Sequence, residues 1–99
     1  MNIRPATEHD IPELLTLKPN HEEFIYRGRL KEMSRGESVF LVAEDDGHLV
    51  GMSLLCYYGK ATYPQYPDIR DIYVHEGKRS AGIGSELIHI CEELSRAKG

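Results

Sequence analysis

A short glycine-containing turn near the end of the chain has the residue types of a phosphate-binding site. Gly82 and Gly84 lie directly before an amphipathic segment that predicts a helix. The first N–H groups of a helix lack partners within the helix, and the helix dipole adds partial positive charge, so phosphate oxygens bind there. Glycine lets a phosphate approach the backbone, and Lys78 and Arg79 add full charges. The pattern predicts an anion site.

Two other phosphate-binding motifs fit this turn poorly. Gly77 and Gly82 have the spacing of a Walker A motif, but Ile83 and Gly84 stand where that motif needs Lys followed by Ser or Thr. A dinucleotide-binding GxGxxG motif that begins at Gly82 would need a third glycine at Leu87. The sequence therefore disfavours both magnesium-dependent nucleotide chemistry and dinucleotide binding.

A strand must lead into this turn, and a helix must follow it. Residues 68–74 predict the strand, and residues 82–97 predict the helix, whose apolar side chains share one face. Residues 38–44 and 49–58 are also rich in strand formers, and the Asp-Gly pair at 46–47 favours the positive backbone angles of a hairpin turn. We therefore expect residues 38–44 and 49–58 to form an antiparallel hairpin, which precedes the 68–74 strand.

The first third of the chain predicts an edge strand and two helices. Residues 2–6 are extended, and the proline among them restricts this strand to a sheet edge. The first helix is expected to begin at Asp10 as N-cap, with Glu13 completing a capping box, and to end before Pro19. Residues 22–35 predict the second helix. Its basic residues are expected on a solvated face; they are Arg27, Arg29, Lys31 and Arg35.

Composition limits the classes of function. The 99 residues allow one domain at most, and hydrophobic and charged fractions of 40% and 28% are typical of a soluble globular protein. A net charge of -4 disfavours nucleic-acid binding, and no apolar run approaches the roughly 20 residues of a membrane span. The start of the chain lacks the apolar stretch of a secretory signal, so a cytoplasmic location is expected. The two cysteines are expected as buried thiols, and no metal site is expected from the scattered histidines.

The hexapeptide 79–84, Arg-Ser-Ala-Gly-Ile-Gly, resembles the Gln/Arg-x-x-Gly-x-Gly/Ala motif of the GNAT acetyltransferases. Residues 72–75 are similar to the end of the strand that precedes this motif in the family, and residues 3–7 are similar to a common start of the domain. The resemblance extends over the whole chain. It implies an α/β (α+β) fold with a mixed, mostly antiparallel sheet flanked by helices, in the order β-α-α-β-β-β-α.

The resemblance also implies acetyl-CoA as cosubstrate, with no metal. Backbone N–H groups of the turn would hold the pyrophosphate, and the strand before it would pair with the pantetheine arm as though the arm were another strand. The implied cofactor-binding residues are Ile72, Tyr73, Val74, Lys78, Arg79, Ser80, Ala81, Gly82, Ile83, Gly84 and Ser85.

The reaction implied by the resemblance is transfer of an acetyl group to a primary amine. The amine nitrogen attacks the thioester carbonyl, a base takes up its proton, and a donor protonates the departing thiolate. Asp68 and Asp71 lie on the strand beside the cofactor and are the candidate bases, with solvated strand carboxylates as the alternative. In many family members a tyrosine in a helix after the next strand serves the thiolate, which would place this role beyond Gly99.

The family's next strand is not among the 99 residues, so residues 1–99 are expected to form a single, incomplete domain whose C-terminal strands are missing. The 68–74 strand would then keep an unpaired edge, which predicts a homodimer or higher association. The expected partners are acetyl-CoA and an amine acceptor. The alternative function is a non-catalytic GNAT-like module that binds acetyl-CoA or a protein partner.

Overall fold

A computed structural model describes residues 1–57, 67–79 and 81–98. Its elements follow the predicted order. They are β1 (Asn2–Pro5), α1 (Ile11–Leu17), α2 (Glu23–Ser34), β2 (Ser38–Asp45), β3 (His48–Cys56), β4 (Asp68–Val74) and α3 (Ile83–Lys98), with short 3-10 turns at Glu8–Asp10 and Glu76–Lys78. The fold is mixed α/β, as the sequence predicts.

The four strands form one antiparallel sheet in the order β1-β2-β3-β4. The hairpin between β2 and β3 is confirmed: Asp46 and Gly47 have φ angles of 52° and 76°, as a tight turn between twisted strands requires. The edge position of β1 is also confirmed. The predicted last residue of β3, Tyr58, lies outside the described residues.

The start of α1 differs from the prediction. Asp10 directly precedes α1 without capping it. Its carboxylate instead binds Arg4, at 2.8 and 2.9 Å, and accepts the Thr7 N–H at 2.7 Å, as part of a capping box that starts at Thr7. These hydrogen bonds hold the pKa of Asp10 below its ordinary value. Glu13 likewise completes no capping box at Asp10, since its Oε2 accepts a hydrogen bond of 2.7 Å from the Leu49 N–H. The capping box therefore lies three residues before the predicted position, at Thr7 and Asp10, while Glu13 makes a tertiary bond to β3.

The helices cover the two faces of the sheet. α1 and α2 pack on one face, where Tyr26 stacks on Phe40 with ring centroids 5.9 Å apart. α3 packs on the other face through the apolar stripe that the sequence predicts; its members are Ile83, Leu87, Ile90, Cys91 and Leu94. Both cysteines are buried, as expected. The strand before the glycine turn, β4, therefore lies between two different helical layers.

Candidate functional site

A bulge interrupts β4 at the point where it faces Ser53. Met52 pairs with Tyr73 and Leu54 pairs with Arg70, so two residues of β4, Asp71 and Ile72, oppose a single residue of β3. Asp71 has a φ angle of 54°, in the left-handed region. The bulge shifts the alternation of side chains, so that Ile69 and Val74, an odd number of residues apart, both pack on the α3 side.

The carboxylate of Asp71 lies on the opposite side, where it contacts three basic side chains. Lys18 donates to Oδ1, while Oδ2 is 2.8 Å from His21 Nε2 and 2.6 Å from Arg29 NH2. We call these four residues the Asp71 cluster. Lys18 directly follows α1, His21 lies between the helices, and Arg29 belongs to α2. The cluster therefore ties both helices to the bulge of β4.

The cluster changes the acidity of Asp71. Burial alone would raise the pKa of Asp71, but the hydrogen bonds from Lys18, Arg29 and His21 outweigh burial and hold this pKa well below its ordinary value of 3.8. A carboxylate with a lowered pKa is a weak proton acceptor. The other candidate base, Asp68, accepts a hydrogen bond of 2.8 Å from Arg70 Nε. Both candidate bases are thus already engaged with cations.

Sequence reasoning missed the partners of Asp71. Arg29 was expected on a solvated face, but only 12% of its side chain is exposed, and its guanidinium lies 5.2 Å from the ring centroid of Phe40. The three partners precede Asp71 by 53, 50 and 42 residues. No local pattern indicates contacts of that range. In a regular strand, side chains on one face are an even number of residues apart, whereas the apolar residues Ile69 and Val74 are five apart. This break in the alternation is the one signal in the sequence for the bulge itself.

The outer edge of β4 presents backbone groups near the turn. The His75 N–H donates to the Val50 carbonyl, at 2.7 Å, across the pair formed by Gly51 and Val74. In an antiparallel ladder this places Val74 at a non-hydrogen-bonded position, so its own N–H and C=O point away from β3. The Val74 carbonyl accepts a hydrogen bond of 3.1 Å from Arg79 Nε. The side chain of Arg79, in the turn, therefore folds back onto the last residue of β4.

The turn after β4 folds back through local hydrogen bonds. His75 Nδ1 accepts from the Gly77 N–H at 3.2 Å, and the Lys78 carbonyl accepts from the Ala81 N–H at 3.1 Å. Gly82 then has a φ angle of 78°, which L side chains rarely adopt, and α3 begins at Ile83. Among the residues that the structure describes, which do not include Ser80, none lies within 4 Å of a Cβ placed at Gly82. With respect to those residues, the start of α3 is open on this side.

A glycine in β3 sets the position of the α3 N-terminus. A Cβ on Gly51 would lie 3.1 Å from the Tyr73 carbonyl oxygen and 3.2 Å from Ile83 Cγ2. These distances are shorter than ordinary van der Waals contact, so any side chain at this position would push β4 or the start of α3 away by a few tenths of an ångström. At the helix start, Gly84 lies beside Val74: a Cβ there would be 3.7 Å from Val74 Cγ2. A glycine within a strand indicates such close approach.

The structure brings several of the predicted cofactor residues close together. Val74, Arg79, Gly82 and Gly84 surround the junction of β4 and α3, where Arg79 also lies 5.8 Å from the ring centroid of Tyr73. Lys78 is exposed, with Nζ 3.4 Å from Asp45 Oδ2. Within residues 1–57, 67–79 and 81–98, no cluster of three potential metal ligands occurs. In the same ranges, no helix has the length and apolar character needed to cross a membrane.

Three solved structures illustrate what the fold is similar to. A ribosomal-protein-alanine N-acetyltransferase from Brucella melitensis is 25% identical, with a TM-score of 0.82 over 99% of this chain and 68% of that one. An acetyltransferase from Trypanosoma brucei is 27% identical, with a TM-score of 0.75 over 99% and 76%. An N-acetyltransferase from Staphylococcus aureus Mu50, 20% identical, shares the fold with a TM-score of 0.83 over 99% and 67%.

Comparison with curated protein sequences gives no significant match. The model of the acetyltransferase (GNAT) family matches residues 5–99, nearly the entire chain. This match agrees with the element order, the antiparallel sheet and the glycine turn between β4 and α3. The chain belongs to the GNAT acetyltransferase family.

Proposed function

We propose that this chain binds acetyl-CoA at the junction of β4 and α3 and transfers the acetyl group to a primary amine. The observation that carries the proposal is the direct succession of an outward-facing strand edge, a left-handed glycine and an open helix N-terminus. The edge offers backbone partners to an extended chain, and the helix start offers N–H groups to an anion. Acetyl-CoA has both parts, a pantetheine arm and a pyrophosphate.

In this proposal, N–H groups of the turn and of the first residues of α3 bind the pyrophosphate oxygens. Lys78 and Arg79 add positive charge beside them. The pantetheine arm lies along Ile72, Tyr73 and Val74 and bonds to backbone groups on the outer edge, such as those of Val74, because the backbone groups of Tyr73, which pairs with Met52, point toward β3. Arg79 must then release the Val74 carbonyl, since the arm and the Arg79 side chain use the same edge. The remaining residues assigned to cofactor binding are Ser80, Ala81, Gly82, Ile83, Gly84 and Ser85.

The two candidate bases differ in the number of cations that bind them. Asp68 is the better of the two candidates, because it has one cationic partner, whereas Asp71 has Lys18, Arg29 and His21. The engagement of both carboxylates favours a second candidate function, a GNAT-like module that binds acetyl-CoA or a protein partner without turnover. Acetyl transfer to any amine would exclude this second function.

The test is a titration of the 99-residue chain with acetyl-CoA, followed by the backbone amide signals in NMR spectra. We expect saturable shifts in residues 72–74 and 78–85, with small changes in α1 and the hairpin turn. ADP, which carries a pyrophosphate without the pantetheine arm, should shift only the turn and the start of α3. A folded chain whose NMR spectrum does not change on addition of acetyl-CoA would contradict the proposal.

A further inference from the structure

The side chain of Arg79 lies on the part of β4 that the proposed function assigns to the pantetheine arm. Its Nε donates a hydrogen bond of 3.1 Å to the Val74 carbonyl, and its guanidinium carbon lies 5.8 Å from the ring centroid of Tyr73. The Val74 carbonyl points away from β3, because Val74 stands at a non-hydrogen-bonded position opposite Gly51. Arg79 therefore occupies an outward backbone group that an extended ligand would need.

The partners of Arg79 in the structure are uncharged. Val74 offers a neutral carbonyl, and Tyr73 offers the face of its ring. In the described part of the chain, no carboxylate forms an ion pair with Arg79, whereas Lys78 Nζ lies 3.4 Å from Asp45 Oδ2. A phosphate would offer Arg79 a charged partner, which a guanidinium binds through two parallel hydrogen bonds. A pyrophosphate at the start of α3 should therefore draw Arg79 away from the Val74 carbonyl.

Arg79 needs only a short movement to reach such an anion. Gly84, in the first turn of α3, packs beside Val74, since a Cβ on Gly84 would lie 3.7 Å from Val74 Cγ2. Arg79 itself is exposed and precedes Gly82 by three residues. The long, flexible side chain of an exposed arginine can change its partner without a change in the backbone. The same guanidinium can therefore serve either the Val74 carbonyl or an anion at the helix start.

We propose that Arg79 determines the specificity for the acetyl donor, because it covers the Val74 carbonyl until a pyrophosphate binds and thereby disfavours pantetheine thioesters that lack one. When the pyrophosphate binds Arg79, the freed carbonyl accepts a hydrogen bond from an amide N–H of the pantetheine arm. The two halves of acetyl-CoA therefore bind with positive cooperativity. The inference rests on the proposed function, because it assigns a task to Arg79 within the acetyl-CoA site.

Two compounds that correspond to the two halves of acetyl-CoA test this inference. ADP supplies the pyrophosphate, and S-acetylpantetheine supplies the arm and the thioester without any phosphate. Dissociation constants are measured from NMR spectra of the 99-residue chain, with each compound alone and with both together. We expect saturating ADP to strengthen the binding of S-acetylpantetheine about three- to tenfold, since Arg79 no longer has to be displaced. Independent binding of the two compounds would overturn the inference.

Two variants test the role of the Arg79 side chain. Arg79→Ala should weaken ADP binding about tenfold and strengthen S-acetylpantetheine binding about three- to tenfold, and a misfolded chain would not give effects of opposite sign. In this variant, ADP should no longer strengthen the binding of S-acetylpantetheine. The matched control Lys78→Ala removes a neighbouring charge that lies at Asp45, so it should weaken ADP binding and leave S-acetylpantetheine binding unchanged. Weaker binding of both compounds by Arg79→Ala contradicts the inference.

A titration with acetyl-CoA itself separates this inference from the proposed function. Shifts of residues 72–85 by acetyl-CoA, without coupling between ADP and S-acetylpantetheine, would reject the role of Arg79 and leave the proposed cofactor site in place. A folded chain that binds none of the three compounds would reject both. Coupling that is present in the unchanged chain and absent from Arg79→Ala would support both.

Discussion

Asp71 adopts a backbone conformation that is unfavourable for most residues and tolerable for aspartate and asparagine. Its φ angle of 54° is maintained by the ion pairs and hydrogen bonds of the Asp71 cluster. The cluster connects the bulge of β4 to the helical layer, because two of its basic members come from the segment after α1 and the third from α2. The bulge and the two helices should therefore respond together when the carboxylate is altered.

Replacing Asp71 by Asn removes the negative charge and keeps the size and the tolerance for a positive φ. We expect the free energy of unfolding to fall by about 2 kcal/mol, since partly buried cations would lose their partner. Urea denaturation measures this change. Asp68→Asn, which removes a more exposed pair with Arg70, should cost less than about 1 kcal/mol. Equal losses in the two variants would contradict a special role for Asp71.

The same carboxylate predicts a dependence of stability on pH. The folded-state pKa of Asp71 lies below the ordinary value of 3.8, so the folded state favours the ionised form, and its stabilising contribution is present above that value. The contribution is lost as pH falls toward the folded pKa. We expect the stability difference between the unchanged chain and Asp71→Asn to be constant from about pH 7 to 5 and to shrink below about pH 4. A difference that grows on acidification would contradict the lowered pKa.

Gly82 can be compared with a second glycine of similar geometry. Gly82 and Gly36 have φ angles of 78° and 75°, and no described residue would lie within 4 Å of a Cβ at either position. Valine should therefore strain both backbones similarly, at about 1–2 kcal/mol of stability. Only Gly82→Val should also abolish acetyl-CoA binding in the NMR titration, because its side chain would cover the start of α3. Loss of binding in both variants would point to general damage instead.

At the level of elements, β4 and α3 act as one unit whose spacing is fixed by Gly51. The replacement Gly51→Ala places a Cβ against the Tyr73 carbonyl and Ile83. We expect a loss of about 1–2 kcal/mol in unfolding free energy and weaker acetyl-CoA binding, because the start of α3 must shift away from β4. The matched change Gly28→Ala meets open space in α2 and should stabilise the chain by about 0.5–1 kcal/mol. Thermal denaturation should show the two effects with opposite signs.

The elements themselves were predictable where a local signal exists. The Asp-Gly pair at 46–47 indicates the hairpin, and the apolar stripe from Ile83 to Leu94 indicates α3 and its buried face. The predicted cap of α1 was wrong because Asp10 belongs to the 3-10 turn before α1, where its carboxylate binds Arg4 of β1 and the Thr7 N–H. The Asp71 cluster has no local signal, since its members meet only when the sheet and both helices have formed. Short-range patterns predict elements, and charged tertiary contacts decide the details of the site.

At the scale of the whole molecule, β4 divides the chain into two functional sides. α3 covers one side and bears the proposed pyrophosphate site, while α1 and α2 cover the other, where the Asp71 cluster lies. Within the described residues, β4 has a strand partner on one edge only, β3. The proposed pantetheine arm would use the second edge. A second copy of the chain would compete for it, because both would pair with the same backbone groups.

This competition gives a prediction about assembly. We expect the chain alone to associate into dimers or larger species as concentration rises, and saturating acetyl-CoA to shift it toward the mass of a single chain, measured by light scattering. ADP lacks the pantetheine arm, so it should bind the turn and leave the mass unchanged. Ile72→Lys places a charge on the exposed edge and should reduce association without any ligand. A chain that stays monomeric at every concentration would show that the β4 edge is not used between copies, whereas association that acetyl-CoA leaves unchanged would place the contact elsewhere.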